Sequence, residues 1–465
     1  MTKIDVSDIQ GFALKGYNFP FARYLLLELL HHKAAEHFIR SVVPLITTGE
    51  RWDEKPLSIV NIAFTHRGLV KLKLPTPTLL SFPVEFQQGM KARGEILYDI
   101  GRNGPSHWDA VWKEEDQVHV WLGVNARTTE ALEDRCAALR KLMDETGGAR
   151  LLQAQDASAV FIDGKPTTKE HFGYTDGFGN PDFKGAERNS VPGQGKLTAD
   201  GRWEALATGE FLLGYADEAG ELPVAPIPHL LARNGTFMVY RKLHQNVATF
   251  RDYLNSRSAQ YGGGKEKLAA KFVGRWRDGT PLELSPEHED PALVADPNRN
   301  TAITYGDDPA GARCPIGAHI RRANPRDAFG FNGKLIDRRR IMRRGLPYGK
   351  YVPEGEAVRD EDEHGIIFMV LNASIFRQFE FVQQQWIEYG NDSRQGNDKD
   401  FLTGNHEADQ ASRGKFVIQG SADPKNPPFV CGGLPNFVEL RGGDYFFMPG
   451  LTALNLMGNG TVDPR

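Results

Sequence analysis

The chain predicts an α+β protein assembled from two ferredoxin-like domains, each an antiparallel sheet with helices on one face. Three observations carry this. Four segments repeat one pattern, a short apolar strand that runs into an amphipathic helix, two in each half of the chain. The units are too few for a TIM barrel, which needs eight regular βα units. A length of 465 residues is about three times a ~150-residue domain, which allows two large domains. We place them at 1–205 and 206–465.

The first unit, Ser58 to Leu72 (SIVNIAFTHRGLVKL), is a short copy of the pattern. The second is the clearest. In Val118 to Met143, VHVWLGV alternates like a strand, and TTEALEDRCAALRKLM then places Leu132, Cys136, Leu139 and Met143 at helical spacing. The third, Thr236 to Leu254, reads TFMVYRKLHQNVATFRDYL, and the fourth, Gly365 to Trp386, reads GIIFMVLNASIFRQFEFVQQQW. Between the units lie stretches rich in Gly, Pro and charge: Phe172 to Gly201, Arg275 to Arg326, and Asn391 to Pro428. Loops this long are functional or disordered, and the content of the first two favours function. A large ligand is expected between the two halves.

Composition narrows the function. Hydrophobic residues are 40% and charged residues 25%, the balance of a globular protein. Lys+Arg 56 against Asp+Glu 60 leaves −4, so no global field exists to hold nucleic acid or an anionic membrane. Asp5 and Asp8 sit in an amino terminus that does not read as a signal peptide, and apolar runs such as Ile366 to Leu371 are far short of the ~20 residues a bilayer needs. Cys136, Cys314 and Cys431 are isolated in sequence. They are expected to fill core, and the chain to be cytoplasmic. The tail NLMGNGTVDPR carries no evident packaging peptide, and a homo-oligomer stays open.

Several motifs can be set aside. GGGKEK, Gly262 to Lys267, has Glu266 where a P-loop needs Ser or Thr, and GFGNPD from Gly177 is a broken dinucleotide fingerprint. No HExxH or paired Cys/His spacing marks a metal site, and His31, His32 and His37 read as surface or core residues.

Two loops remain. In EHFGYTDGFGNPD, Glu170 to Asp182, Asp176 is bracketed by Gly173, Gly177 and Gly179 and by Phe172, Tyr174 and Phe178. Glycines allow backbone to approach a flat ligand, aromatics wall it, and a partly desolvated carboxylate suits proton transfer. An Asp-Gly turn capped by aromatic packing uses the same residues. The second loop, Cys314 to Gly345, carries His319 in an apolar setting and then two arginine clusters. That suits a haem iron and its propionates. It also suits a core histidine followed by a solvated basic face or a nucleic-acid patch at Arg338 to Arg344.

Together the two loops resemble the dye-decolorising peroxidase family. Its GxxDG motif stands at Gly173, Tyr174, Thr175, Asp176 and Gly177, and GARCPIGAHIRRANPRD is similar to its haem-ligand region. The likeness continues through DIQG at Asp8, LSIVNIAFTHRGL at Leu57, NGTFMVYRKL at Asn234, KFVGRWRDGTPL at Lys271 and IMRRGLPYG at Ile341. Length and loops match the larger, fungal-type branch, as does Gly345 where the compact branches carry Asn.

The resemblance implies a doubled ferredoxin-like fold forming a barrel-like arrangement around haem b, one per chain, held mainly by the second half. It makes His319 the axial ligand of the iron, Asp176 the distal acid/base, and Arg343 the distal arginine. It further assigns Arg322 in preference to Arg321 to a propionate, Gly177, Gly179 and Phe178 to the haem edge, and Glu380 to the second nitrogen of His319. The implied activity is hydrogen peroxide reduction through a ferryl haem and porphyrin radical, with small-molecule reductants: dye-like phenolics, Mn(II) or a metabolite. Trp386, Tyr348 and Tyr351 are candidates to relay electrons from the surface. An Asp carboxyl ordinarily titrates near ~3.9 and so keeps its base form in acid, which places best activity at about pH 3 to 5. The alternative is a haem storage or sensing protein, which needs neither Asp176 nor Arg343.

Overall fold

The computed structural model describes residues 4–113, 117–186, 191–330, 333–407, 414–420 and 427–464. Parts of the long loops, at 187–190, 331–332, 408–413 and 421–426, lie outside the described residues. The first half runs β1 (Phe21–Leu29), α1 (His32–Val42), β2 (Ser58–Phe64), β3 (Val120–Ala126), α2 (Thr129–Thr146) and β4 (Ala149–Ser158). The second runs β5 (Thr236–Gln245), α3 (Val247–Ser258), α4 (Lys265–Val273), α5 (His319–Ala323), β6 (Met342–Gly349), β7 (His364–Asn372), β8 (Val438–Met448) and α6 (Leu451–Asn459).

Amphipathic sequence builds these elements. In α2 the buried residues are Leu132, Cys136, Leu139 and Met143, one face at helical spacing, each contributing about 1.5–3 kcal/mol on full burial of a large side chain. Thr128 caps the start by accepting the Ala131 N–H at 3.2 Å, and Gly147, at φ +58°, ends the helix. Cys314 and Cys431 are likewise buried, and all three cysteines are unbridged.

Eight strands pair antiparallel in the order β6-β7-β5-β8-β2-β3-β1-β4. Within each half the last strand lies beside the first, the first beside the third and the third beside the second, which is the ferredoxin-like order, made twice. The halves join where Phe447 on β8 pairs with Phe64 on β2, and the outer strands β6 and β4 approach each other to close a barrel. Its interior is packed. Tyr24 on β1 meets Tyr240 on β5 edge-on at 6.2 Å, and the Tyr240 hydroxyl donates to Gln155 on β4, although β5 neighbours neither strand.

Side chains fill the barrel interior, so the site residues gather outside it. Along β6, Met342, Arg344 and Tyr348 are buried, whereas Arg343 between them turns to the partly open face of the second half. The site is built on that outer face, covered by the connection after β4 and by the segment around α5. The connection runs from Ser158 to Thr236 and contains the 205/206 division. No helix among the described residues is long and apolar enough to cross a membrane.

Candidate active site

Asp176 is fixed by its backbone. Its N–H donates to the Thr168 carbonyl at 2.8 Å, and the neighbouring Thr175 N–H donates to Arg277 at 3.0 Å. Upstream, the buried Glu170 carboxylate accepts the N–H groups of Phe172 and Tyr174 at 2.9 and 2.8 Å and the side-chain amide of Gln245 at 2.5 Å. Phe172 and Tyr174 do not wall the acid as their sequence positions suggested. They turn into a core with Phe250 and Leu268, and the Tyr174 hydroxyl reaches the Ala269 carbonyl, so they anchor the loop. Phe178 lies under the Arg275 guanidinium at 4.7 Å. Gly177 and Gly179 have φ of +93° and +73°, and a Cβ on Gly177 would meet nothing within 4 Å. Their role is backbone shape beside open space.

Arg343 comes from β6. Its N–H donates to Asn180, one terminal nitrogen bonds Asp176 at 2.9 Å, and the other donates to the Phe178 carbonyl at 2.6 Å. Two residues on, Gly345 has φ +127°, and a Cβ there would lie 1.9 Å from the Ile367 carbonyl oxygen. The strand pairing therefore excludes a side chain at the position where the compact branches carry Asn.

His319 opens α5, and its Nδ1 meets Asp400 Oδ1 at 3.0 Å, leaving Nε2 as the nitrogen for iron. Asp400 takes the role the sequence gave to Glu380. Glu380 is bound instead to Arg93 at 2.7 Å and to the Tyr445 hydroxyl at 2.8 Å, because its helical turn faces β8 and the first half. Arg322 is also redirected. Its buried guanidinium is engaged by the carbonyls of Trp386, Tyr389 and Asp398 and the Gln395 side chain, so it ties chain segments together. Trp386 and Tyr348 are buried, which rules out direct contact with a bulky reductant, and Tyr351 is half-buried. The arginine strip makes no basic face: Arg338 pairs with Asp217, Arg339 stacks on Phe381, and Arg340 donates to Gly195.

Sequence reading missed Arg326. One of its terminal nitrogens donates to Gly193 and Ile303, and the other lies 3.8 Å from where a Gly179 Cβ would sit. With Arg340 and Asn324 it lines a small cleft. A turn in NPRD gave a local hint, at Arg326 with φ +53°. Nothing local announces Asp400 as a partner of a histidine 81 positions away.

Electrostatics bind the set together. Burial alone would raise the Asp176 carboxyl, but the Arg343 charge, aided by hydrogen bonds from Gly177 and Arg343, brings it below the ordinary value. Burial would likewise lower His319, but the Asp400 charge and hydrogen bond raise it. Asp400, which burial would push up, is pulled to about 2 by His319 and the Thr403 hydrogen bonds. Asp176 and Arg343 both act on His319 through space. Asp176 lies deep among protein atoms yet keeps 53% of its side-chain surface accessible, and Arg343 and His319 keep 32% and 26%. The three lie within electrostatic reach of one another, and each keeps accessible surface.

This arrangement fits haem. A lone histidine cannot hold a bare ion, and among the described residues no group of three His, Cys, Asp or Glu does so either. His319 would hold an iron whose remaining ligands come from a porphyrin, and the neighbouring arginines suit porphyrin carboxylates.

The fold and site together define a doubled α+β barrel protein with an acid–arginine pair in electrostatic reach of a histidine. The model of the DyP dimeric alpha+beta barrel domain matches residues 9–151. Dye-decolorizing peroxidase msp1 of Mycetinis scorodonius is 28% identical over 97% of this chain and 87% of its own length. The multifunctional dye peroxidase DyP2 of an Amycolatopsis species is 28% identical over 85% and 81%. Among solved structures, an ancestral D-type dye-decolorizing peroxidase superposes with a TM-score of 0.82 at 28% identity, covering 97% of this chain and 99% of that one. A dye-decolorizing peroxidase in complex with 2,6-dimethoxyphenol gives 0.80 at 26% identity, covering 98% and 100%. These likenesses all indicate the dye-decolorising peroxidase family.

Proposed function

We propose that the chain is a haem peroxidase that uses hydrogen peroxide to oxidise small organic reductants of the phenolic or dye class. The observation that carries this is the Asp176–Arg343 pair at 2.9 Å, within electrostatic reach of His319. A carrier of haem has no need of that pair. Haem b, when bound, supplies the iron that receives peroxide and the oxidising equivalents passed to the reductant.

The residues supply the rest. His319 would hold the iron through Nε2, with Asp400 fixing its tautomer and orientation through Nδ1. Asp176, ionised because Arg343 lowers its proton affinity, takes the proton of the near peroxide oxygen and returns it to the far oxygen as water leaves. Arg343, held by Phe178 and Asn180, donates to the negative charge that develops on the separating oxygen. Arg326, and not Arg322, is placed for a propionate. The partly buried Phe368 and Ile366 share the face of Arg343, since Arg343 pairs with Val370, and Gly345 and Pro347 with Phe368 and Ile366. They limit water on the peroxide side. The phenolic class is supported by the relative complexed with 2,6-dimethoxyphenol.

The test is to reconstitute with haem, add peroxide and follow the Soret band in a stopped-flow instrument. Wild type is expected to convert rapidly. His319→Ala that keeps the wild-type haem spectrum removes the ligand assignment, and Asp176→Asn that converts as fast as wild type removes the proton-transfer role.

A further inference from the structure

Four donors converge on one oxygen of Asp400. Oδ1 accepts from His319 Nδ1 at 3.0 Å, the Leu402 N–H at 3.1 Å, the Thr403 N–H at 2.7 Å and the Thr403 hydroxyl at 2.8 Å. Oδ2 is buried and meets no donor among the described residues. Satisfying the carboxylate would call for spreading these donors over both oxygens. Instead the Thr403 hydroxyl is aimed at the oxygen that His319 already uses.

The hydroxyl is redundant as a brace. The two backbone N–H groups already close the turn onto Oδ1, and the Asp400 N–H donates to Ile387 at 2.6 Å, so the carboxylate is placed without it. Its remaining effect is on charge. A carboxylate oxygen has two lone pairs, and each further donor draws on the density that would otherwise attract the Nδ1 proton. The weaker that attraction, the less anionic the imidazole and the weaker its donation through Nε2.

We propose that Thr403 is a positioning residue for the Nδ1 proton of His319: by sharing Asp400 Oδ1 it limits the electron donation of the histidine to a bound iron. The proposal rests on His319 as the iron ligand. Leu402, through its main chain only, supplies a fixed background that no side-chain change alters.

The experiment compares Thr403→Val and Thr403→Ser with wild type in the haem-reconstituted protein, reading the iron–histidine stretch of the ferrous form by resonance Raman and the ferric/ferrous midpoint potential by titration. Thr403→Val is expected to raise the stretching frequency and shift the potential negative, Thr403→Ser to restore wild-type values, and Asp400→Asn to move both readings the opposite way. A Thr403→Val protein with wild-type readings, or one shifted in the direction of Asp400→Asn, overturns the proposal. Should the valine variant not fold, Thr403→Ala deletes the same hydroxyl and is read identically. If His319→Ala keeps a histidine-ligated spectrum, the ligand assignment fails first, and that result is distinct from an unresponsive Thr403.

Discussion

Asp176 and Asp400 are the same residue type held in opposite ways, one beside Arg343 and one behind His319. Asp176 keeps 53% of its side chain accessible, has one guanidinium partner and sits on a glycine-rich loop. Asp400 is fully buried, and its Oδ1 accepts from His319, Leu402 and Thr403. Both carboxyls are brought below the ordinary range, each against its own burial: Asp176 by an arginine it can swing against, Asp400 by a histidine and a closed turn. The contrast separates a group that must exchange a proton from a group that must hold one still.

The largest expected effect tests the first role. Asp176→Asn should slow peroxide cleavage by ~10²–10⁴-fold, and Arg343→Leu by ~10²–10³-fold, with haem affinity unchanged, as read by stopped-flow absorbance and haem titration. A matching loss of haem would erase the distinction between the two aspartates.

Next in size is the structural cost. Asp400→Asn removes the charge of a fully buried carboxylate paired with His319 and is expected to cost about 3 kcal/mol of stability in urea unfolding of the apoprotein. Asp176→Asn, half-exposed, should stay within about 1 kcal/mol of wild type. Equal losses would mean that the two sites are built alike.

The arginines sharpen the comparison further. Arg322→Leu leaves several buried acceptors without a donor and should cost about 2–3 kcal/mol while haem affinity holds. Arg326→Leu should weaken haem about tenfold, some 1.4 kcal/mol, at a smaller stability cost. The reverse pattern would return the propionate to Arg322.

Acid gives the smallest and most graded contrast. His171 and His406 are lowered to about 4 by burial, against ~6.5 in the unfolded chain. Their contribution is whole above pH 6.5 and is lost as pH falls toward 4, on the order of 3 kcal/mol for each. Asp176, lowered by Arg343, keeps its base form below the usual carboxylate range, so the acid limb of activity should fall below about pH 3.8. Melting temperature from pH 7 to 4 should therefore drop in wild type and drop less in His171→Gln, while the activity limb stays put. An identical slope in the variant would remove His171 as the cause.

How much of this was legible varies by residue. The strand-to-helix units were readable because apolar spacing is local: Leu132, Cys136, Leu139 and Met143 are one face of one helix. The acid loop was readable because glycine and aspartate cluster within a few positions. The partner of His319 was not, since Glu380 and Asp400 are both carboxylates at plausible distances in sequence and only packing aims one of them. Arg322 was misread for the same reason. Nothing in RRANPRD distinguishes an arginine turned to four chain acceptors from one turned to a cleft.

By itself the sequence determined the doubled α+β architecture and the absence of a polyanion-binding charge balance, and it marked Asp176, His319 and Arg343 as candidates, because periodicity, composition and short motifs are properties of neighbouring residues. Only the tertiary structure decided that the barrel interior is filled and the site residues gather outside it, that Asp400 and not Glu380 holds His319, and that Arg326 and not Arg322 faces the cleft. Those outcomes turn on which side of a strand or helix meets which distant segment, and a hydrogen-bond partner 81 residues away is chosen by packing, not by local chain chemistry.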